Sequence, residues 1–301
     1  MNTYREAVRA RILHGLLGLA VATCGYALVV GAYALKNQNR VVADLGAASV
    51  SAYAIVVSIV LGATSLYREL EFKTIFPILA RPIMRWEYLV GKFLGTVLTL
   101  GVFVAINTGL LLFSIGSLTT RSLSMTLALP ALVVAVFGVV GWKVPRFRTW
   151  APIPLGALLM GVGAYWGRDG VSESGVLLGQ SLLTMFEVCI ITAVTLVFAA
   201  FSSPFLTAVF SFSIFVVGRS ADTLARLPAR VFGEGISDLG KVLSRVFPNL
   251  MVYVPPRGLL TGETAGVSYL PYAAMGGLQS LCWCVGLLTL AAIIFRRRDF
   301  L

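Results

Sequence analysis

The feature that most constrains this chain is a series of long apolar runs that recurs along the whole sequence. A helix needs about 20 mostly apolar residues to cross a bilayer, and in lipid only helices and closed barrels satisfy their backbone polar groups. The chain is 58% hydrophobic and 12% charged, against about 45–50% and 25% in soluble domains. The sequence therefore predicts one all-α, polytopic transmembrane helical bundle over residues 1–301. The eight predicted spans are roughly 13–35, 46–66, 89–113, 123–141, 151–167, 177–201, 204–218 and 270–295.

The distribution of basic residues predicts the orientation of these spans. Lys and Arg are enriched in cytoplasmic loops, and placing both termini in the cytoplasm puts 14 of the 24 Lys and Arg on the inner side. The net charge of +11 is thereby explained by cytoplasmic loops and by contact with anionic lipid headgroups. We therefore expect membrane lipids, and not nucleic acid, as partners.

The segment 219–269 is predicted to lie on the outer side of the membrane and to carry an amphipathic helix. Apolar residues recur there at helical spacing, and charged residues fall between them, which is typical of a helix that lies on a membrane surface. The apolar set is Ile236, Leu239, Gly240, Leu243, Val246 and Phe247, and the charged set is Asp238, Lys241 and Arg245.

The stretch 67–95, YRELEFKTIFPILARPIMRWEYLVGKFLG, concentrates charge between two apolar runs. It holds five basic and three acidic residues. Pro77 permits only a kinked or broken helix, and Arg81-Pro82 indicates a turn. Residues 67–88 are thus predicted to form a cytoplasmic elbow. One interpretation is a loop that only sets topology; the other, favoured by the interleaved acids, is a docking surface for another protein.

The elbow resembles the signature of ABC-2 type transporter permeases. The resemblance rests on Glu69-x-Glu71-x-x-Thr74, Leu79-Ala80-Arg81-Pro82 and Arg85-x-Glu87-Tyr88-Leu89-x-Gly91-Lys92. Three later segments are similar to motifs of the same family in the same order: Ser202-Ser203-Pro204, Phe247-Pro248-Asn249-Leu250 and the terminal Phe295-Arg296-Arg297-Arg298-Asp299-Phe300. The chain departs from the family at Lys73, where Gly is common.

The resemblance implies a six-span permease core with an extra helix pair, 123–141 and 151–167. It implies a homodimer in the bacterial inner membrane, coupled to separate ATP-binding subunits that would hold ATP and Mg. The transmembrane subunit would couple their hydrolysis to substrate export, or to force transmission, with a periplasmic partner as an option. The elbow would be the coupling helix, beside an N-terminal amphipathic helix from Tyr4 to Ile12. The residues that match the docking positions are Arg68, Glu69, Glu71, Lys73, Thr74, Arg81, Pro82, Arg85 and Glu87.

Glu187 is the sharpest feature inside the predicted spans. A carboxylate in lipid is costly, so it is expected to face the interior and to have a function. No Lys or Arg is predicted within the spans to pair with it. The alternative to a functional role is a protonated Glu187 that is hydrogen-bonded to a neighbouring Ser, Thr or Asn107. Lining a substrate route and fixing a helix contact both remain open as roles.

Two further patterns bear on function. The chain has no G-x-x-x-x-G-K-[ST] phosphate loop, so we expect a transporter subunit that does not hydrolyse ATP itself. A membrane enzyme acting on lipid-linked substrates is the alternative, although its candidate acids in the outer segment are dispersed.

Gly91-x-x-x-Gly95 is a small-residue pattern that favours close helix packing.

Overall fold

The structure, a computed structural model, describes residue 4 and residues 12–34, 37–71, 84–119, 123–144, 149–262 and 268–297, and in these it is helical without any strand. The all-α prediction is therefore confirmed for the described part of the chain. Short 3-10 turns occur at Gly167–Gly170 and Met251–Tyr253. The α-helices are α1 (Ile12–Ala32), α2 (Gln38–Glu71), α3 (Arg85–Thr119), α4 (Leu123–Lys143), α5 (Pro152–Trp166), α6 (Val171–Ala199), α7 (Pro204–Arg219), α8 (Ala221–Ala225), α9 (Ala229–Phe232), α10 (Glu234–Val246), α11 (Arg257–Thr261) and α12 (Tyr269–Arg297).

Four of the described helices, α2, α3, α6 and α12, are long and apolar enough to cross a membrane. The apolar parts described in α1, α4, α5 and α7 are shorter. The chain is thus a helical membrane protein, and each of the eight predicted runs lies on one of these helices. Helix α2 is longer than its predicted span, because its 34 residues reach about 51 Å, whereas the hydrocarbon core is about 30 Å thick.

The chain forms two compact units, and several helices contribute to both. The first unit contains Met1–Ile55, Val97–Met185 and Arg257–Tyr269, and the second contains Val56–Thr96, Phe186–Pro256 and Leu270–Leu301. Small polar side chains join buried helices within each. In the first, the hydroxyls of Thr108 on α3 and Ser181 on α6 lie 2.7 Å apart. In the second, the hydroxyls of Ser58 on α2 and Thr192 on α6 lie 3.1 Å apart.

Within the first unit, α3 and α5 approach each other backbone to backbone at two glycines. A Cβ placed on Gly109 would lie 2.6 Å from the carbonyl carbon of Leu159, and one on Gly163 would lie 2.7 Å from the carbonyl oxygen of Gly109. Small residues permit such approaches between membrane helices. Helix α5, which belongs to the predicted extra pair, is therefore closely packed on the protein.

The packing role predicted for Gly91 is wrong in this structure. A Cβ on Gly91 would meet nothing within 4 Å. The buried side of this part of α3 is instead formed by Leu89, Lys92 and Phe93. Gly95, the second glycine of the pattern, is buried, so the expectation fails at Gly91 only.

Candidate functional site

The elbow predicted to dock a partner joins the end of α2 to the start of α3. Arg68, Glu69 and Glu71 lie on the last turns of α2, and Arg85 is the first residue of α3. Several predictions concern residues outside those that the structure describes: Lys73, Thr74, Pro77, Arg81, Pro82 and all but the two ends of the predicted Tyr4 to Ile12 helix.

Glu87, the remaining predicted docking residue, is exposed and also has a local role. Its Oε2 accepts a hydrogen bond from the backbone N–H of Met84 at 3.1 Å. Glu87 stands at the third position of α3, and a Glu there characteristically reaches back to the residue that precedes the helix. Its carboxylate therefore helps to fix where α3 begins.

Lys92 ties the two helices of the elbow together, a role that the sequence did not reveal. Its side chain is buried, and its Nζ donates a hydrogen bond to the carbonyl oxygen of Ser65 on α2 at 2.6 Å. The ammonium also lies 5.6 Å from the ring centroid of Tyr88, within the range of a cation–π contact. A buried ammonium is costly unless such groups solvate it. In the sequence, the indication of this role was a lysine that stands in an otherwise apolar turn of the helix.

The start of α3 is also held by a hydrophobic cluster in the second unit. The rings of Tyr88 and Phe295 stack with centroids 6.1 Å apart, which joins α3 to the end of α12. The cluster joins the end of α6 as well, so three helix ends meet beside the elbow. Its buried members are Leu89, Val197, Ala199, Ala200, Ala291 and Phe295.

Glu187 forms a bidentate ion pair with Arg219, so the prediction that no Lys or Arg could pair with it is wrong. The Nε of Arg219 lies 2.8 Å from Oε1, and Nη2 lies 3.0 Å from Oε2. Glu187 is fully buried, whereas the side chain of Arg219 is 24% exposed. Arg219 is the last residue of α7, and its long side chain extends along apolar surface. Its Cζ lies 5.7 Å from the ring centroid of Phe215.

The sequence assigned Arg219 to the aqueous segment because it follows the apolar run. Its partner is 32 positions away, so only the packing of α7 against α6 reveals the pair. Parallel hydrogen bonds to a carboxylate are the geometry in which arginine binds most strongly. The pair thus fixes the contact between these two helices, one of the two roles left open for Glu187.

The Pro248-Asn249-Leu250 segment closes over the end of α7 beside this ion pair. The N–H of Leu250 donates to the carbonyl oxygen of Gly218 at 3.0 Å. The amide of Asn249 donates to Asp222 at 2.9 Å. A Cβ on Gly218 would lie 2.8 Å from the carbonyl oxygen of Pro248, so only glycine fits there without a shift. This segment, singled out in the sequence by resemblance, therefore holds the end of α7.

Just after this segment, Tyr253 forms a contact with α12. This side chain is fully buried, and its hydroxyl donates to the carbonyl oxygen of Gly276 at 3.1 Å. Burial raises the pKa of Tyr253 above its usual value, and the charge of Glu187 adds to the effect. The phenol stays protonated at physiological pH and keeps donating. Ser280, one turn further along α12, donates to the carbonyl oxygen of Phe186 on α6 at 2.8 Å.

Asn107, the other intramembrane polar candidate, is fully buried on α3 in the first unit. Its amide nitrogen and oxygen find no hydrogen-bond partner among the described residues. Asn107 is not shown to act with Glu187, because the structure gives that carboxylate a charged partner instead.

A second arginine that the sequence did not single out joins three segments of the first unit. Arg257, the first residue of α11, forms ion pairs with Asp44 near the start of α2 and with Glu173 near the start of α6. The Nε of Arg40 lies 3.8 Å from Oδ2 of the same Asp44. The sequence placed both acids on the outer side without linking them.

Within the described ranges, no group of three or more His, Cys, Asp or Glu is placed to hold a metal ion. Compared with known proteins, the chain matches no protein-family model, and no curated protein or solved structure matches it.

Proposed function

We propose that this chain is the transmembrane permease subunit of an ABC transporter. Two copies would work with two separate ATP-binding subunits, which hold ATP and Mg, to export a substrate or transmit force across a bacterial inner membrane. The ordered motifs of the sequence motivate the proposal. The observation that carries it is that both helices flanking the elbow are tied, through Lys92 and the Phe295 cluster, into one compact unit.

A rigid attachment is what a coupling element needs. Closure of the ATP-binding subunits would displace the elbow, and a loosely held elbow would absorb that displacement. Here the start of α3 contacts the ends of α6 and α12, and α2 is joined to α3 through Ser65 and Lys92. The same unit contains the Glu187–Arg219 pair and the Pro248-Asn249-Leu250 segment. A displacement of the elbow would therefore move the far end of α7.

The proposed arrangement keeps a six-span core with α4 and α5 as an added pair and both termini in the cytoplasm. The close approach of α5 to α3 at Gly109 and Gly163 supports treating α5 as an integral part of the transmembrane region.

We expect reversal of charge in the elbow to weaken binding of the ATP-binding subunit, and so to lower both transport and ATP hydrolysis by the complex. In a Glu69→Arg, Arg81→Glu double variant, each contact with the ATP-binding subunit changes from attraction to repulsion. Affinity for that subunit should fall at least about tenfold, the change that about 1.4 kcal/mol produces. It is measured by quantifying the co-purified subunit and by transport assays in proteoliposomes.

Arg226→Glu is the matched control, because Arg226 is exposed and follows the C-terminal end of α7, outside the elbow. It reverses one charge without touching the elbow, so it should leave subunit binding unchanged. Full coupling in the double variant, with its thermal stability intact, would contradict the docking role of the elbow.

A further inference from the structure

We propose that α10 inserts one face into the lipid at the membrane surface and so anchors the end of α7 to one leaflet. The occupant of this face is the bilayer itself, at the boundary between acyl chains and headgroups. The inference does not depend on the permease function, because it rests only on how α10 is packed.

Helix α10 has three distinct faces, whereas an ordinary amphipathic helix has two. At about 100° per residue, the first face carries all of its charged side chains and the second carries small residues. The third, which we call the apolar face, lies between them. The charged residues are Glu234, Asp238, Lys241 and Arg245; the small ones are Ser237, Gly240 and Ser244; and the apolar face consists of Ile236, Leu239, Val242 and Val246, with half-buried Leu243 beside them.

The small face is the one that packs on the protein. A Cβ on Gly240 would lie 2.7 Å from the carbonyl oxygen of Leu224, so the backbone of α10 lies directly against α8. The hydroxyl of Ser237 donates to the carbonyl oxygen of Leu227 at 3.0 Å. These contacts fix the rotation of α10 about its own axis.

The apolar face is consequently left outside. Surface helices normally turn their apolar side toward the core, yet Ile236, Leu239, Val242 and Val246 are 55–58% exposed. Two further apolar side chains extend this surface just before the helix, since Val231 is 73% and Phe232 is 48% exposed. Leaving such side chains in water is unfavourable, because apolar surface gains free energy when it is removed from water.

Lipid is the occupant that the surroundings favour. Helix α10 contacts α7, and α7 itself carries exposed apolar side chains, Phe212 and Val216, within the predicted span 204–218. Around it stand three exposed cations and two exposed acids, and this net positive charge favours anionic headgroups. The cations are Arg230, Lys241 and Arg245, and the acids are Glu234 and Asp238. Six apolar side chains are also few for a protein interface, which has about 20–30 residues a side.

Depth-dependent fluorescence quenching tests this placement. The full chain, in a Cys282→Ala background that removes its exposed native cysteine, receives Val242→Cys, Leu239→Cys or, as the matched control, Lys241→Cys. Each is labelled with an environment-sensitive fluorophore. The labelled proteins are placed in nanodiscs of phosphatidylethanolamine and phosphatidylglycerol, with or without brominated acyl chains, and iodide probes exposure to water.

We expect brominated lipid to quench the labels at 242 and 239 at least twofold more than the label at 241, and iodide to show the reverse order. Equal quenching by iodide at 242 and 241 would place the apolar face in water and overturn the proposal. A label at 242 shielded from both quenchers would mean that protein, such as a second copy, covers the face, and would also overturn it. Agreement between positions 239 and 242 guards against a local effect of either substitution.

Discussion

Replacing Arg219 with leucine is expected to destabilise the protein by about 3–5 kcal/mol, because it removes the guanidinium that neutralises a fully buried carboxylate. Glu187 is 0% exposed and lies among α6, α7 and α12. It cannot reach water without separating these helices. The free energy of unfolding, measured by titration with a denaturing detergent in mixed micelles, should report the loss.

The reverse truncation should be milder. In Glu187→Leu the remaining charge belongs to Arg219, whose side chain is 24% exposed and can turn its guanidinium toward the membrane surface. The double variant Glu187→Leu, Arg219→Leu should recover most of the stability, since replacing both partners of a buried pair with apolar groups is often neutral or stabilising.

Arg226→Leu is the control for this series, because it removes an exposed arginine seven residues further along and should change stability by less than about 0.5 kcal/mol. Equal losses from Arg219→Leu and Glu187→Leu, with no recovery in the double variant, would show that the two side chains act independently and that the ion pair is not formed.

Alanine at Gly109 and at Gly91 should change stability with opposite signs, although both glycines lie on α3. At Gly109 the new methyl group would meet backbone atoms of α5 at 2.6–2.8 Å. Backbone cannot rotate away as a side chain can, so we expect a loss of about 1–3 kcal/mol. At Gly91 nothing lies within 4 Å, and alanine in a helix interior is favoured over glycine by roughly 0.5–1 kcal/mol.

The two variants are compared by thermal denaturation in the same detergent. Gly163→Ala provides a second position on the same contact, because its Cβ would approach the carbonyl oxygen of Gly109 at 2.7 Å. If Gly109→Ala and Gly163→Ala were as stable as Gly91→Ala, the close approach of α3 and α5 would be contradicted.

The helices themselves could be predicted from the sequence, because a run of about 20 apolar residues has few alternatives to a membrane helix. Their ends were less predictable. Helix α2 continues through polar residues at both ends of its apolar run, since helical hydrogen bonding does not stop where lipid does.

Contacts between helices could not be predicted. Arg219 and Glu187 are separated by the C-terminal part of α6, a turn and the rest of α7, and Arg257 reaches Asp44 across 213 positions. The amphipathic pattern of α10 indicated a surface helix. Ile236, Leu239 and Val246 of its predicted apolar set are nevertheless exposed, because the small residues Ser237 and Gly240 allow a closer backbone approach.

Affinity purification of this chain in mild detergent, together with the products of its neighbouring genes, tests the proposed coupling to an ATPase most directly. The account predicts that an ATP-binding subunit co-purifies, that the complex hydrolyses ATP, and that its activity falls when Glu69 and Arg81 are charge-reversed but not when Arg226 is. A stable homo-oligomer that purifies without any ATPase activity would contradict it.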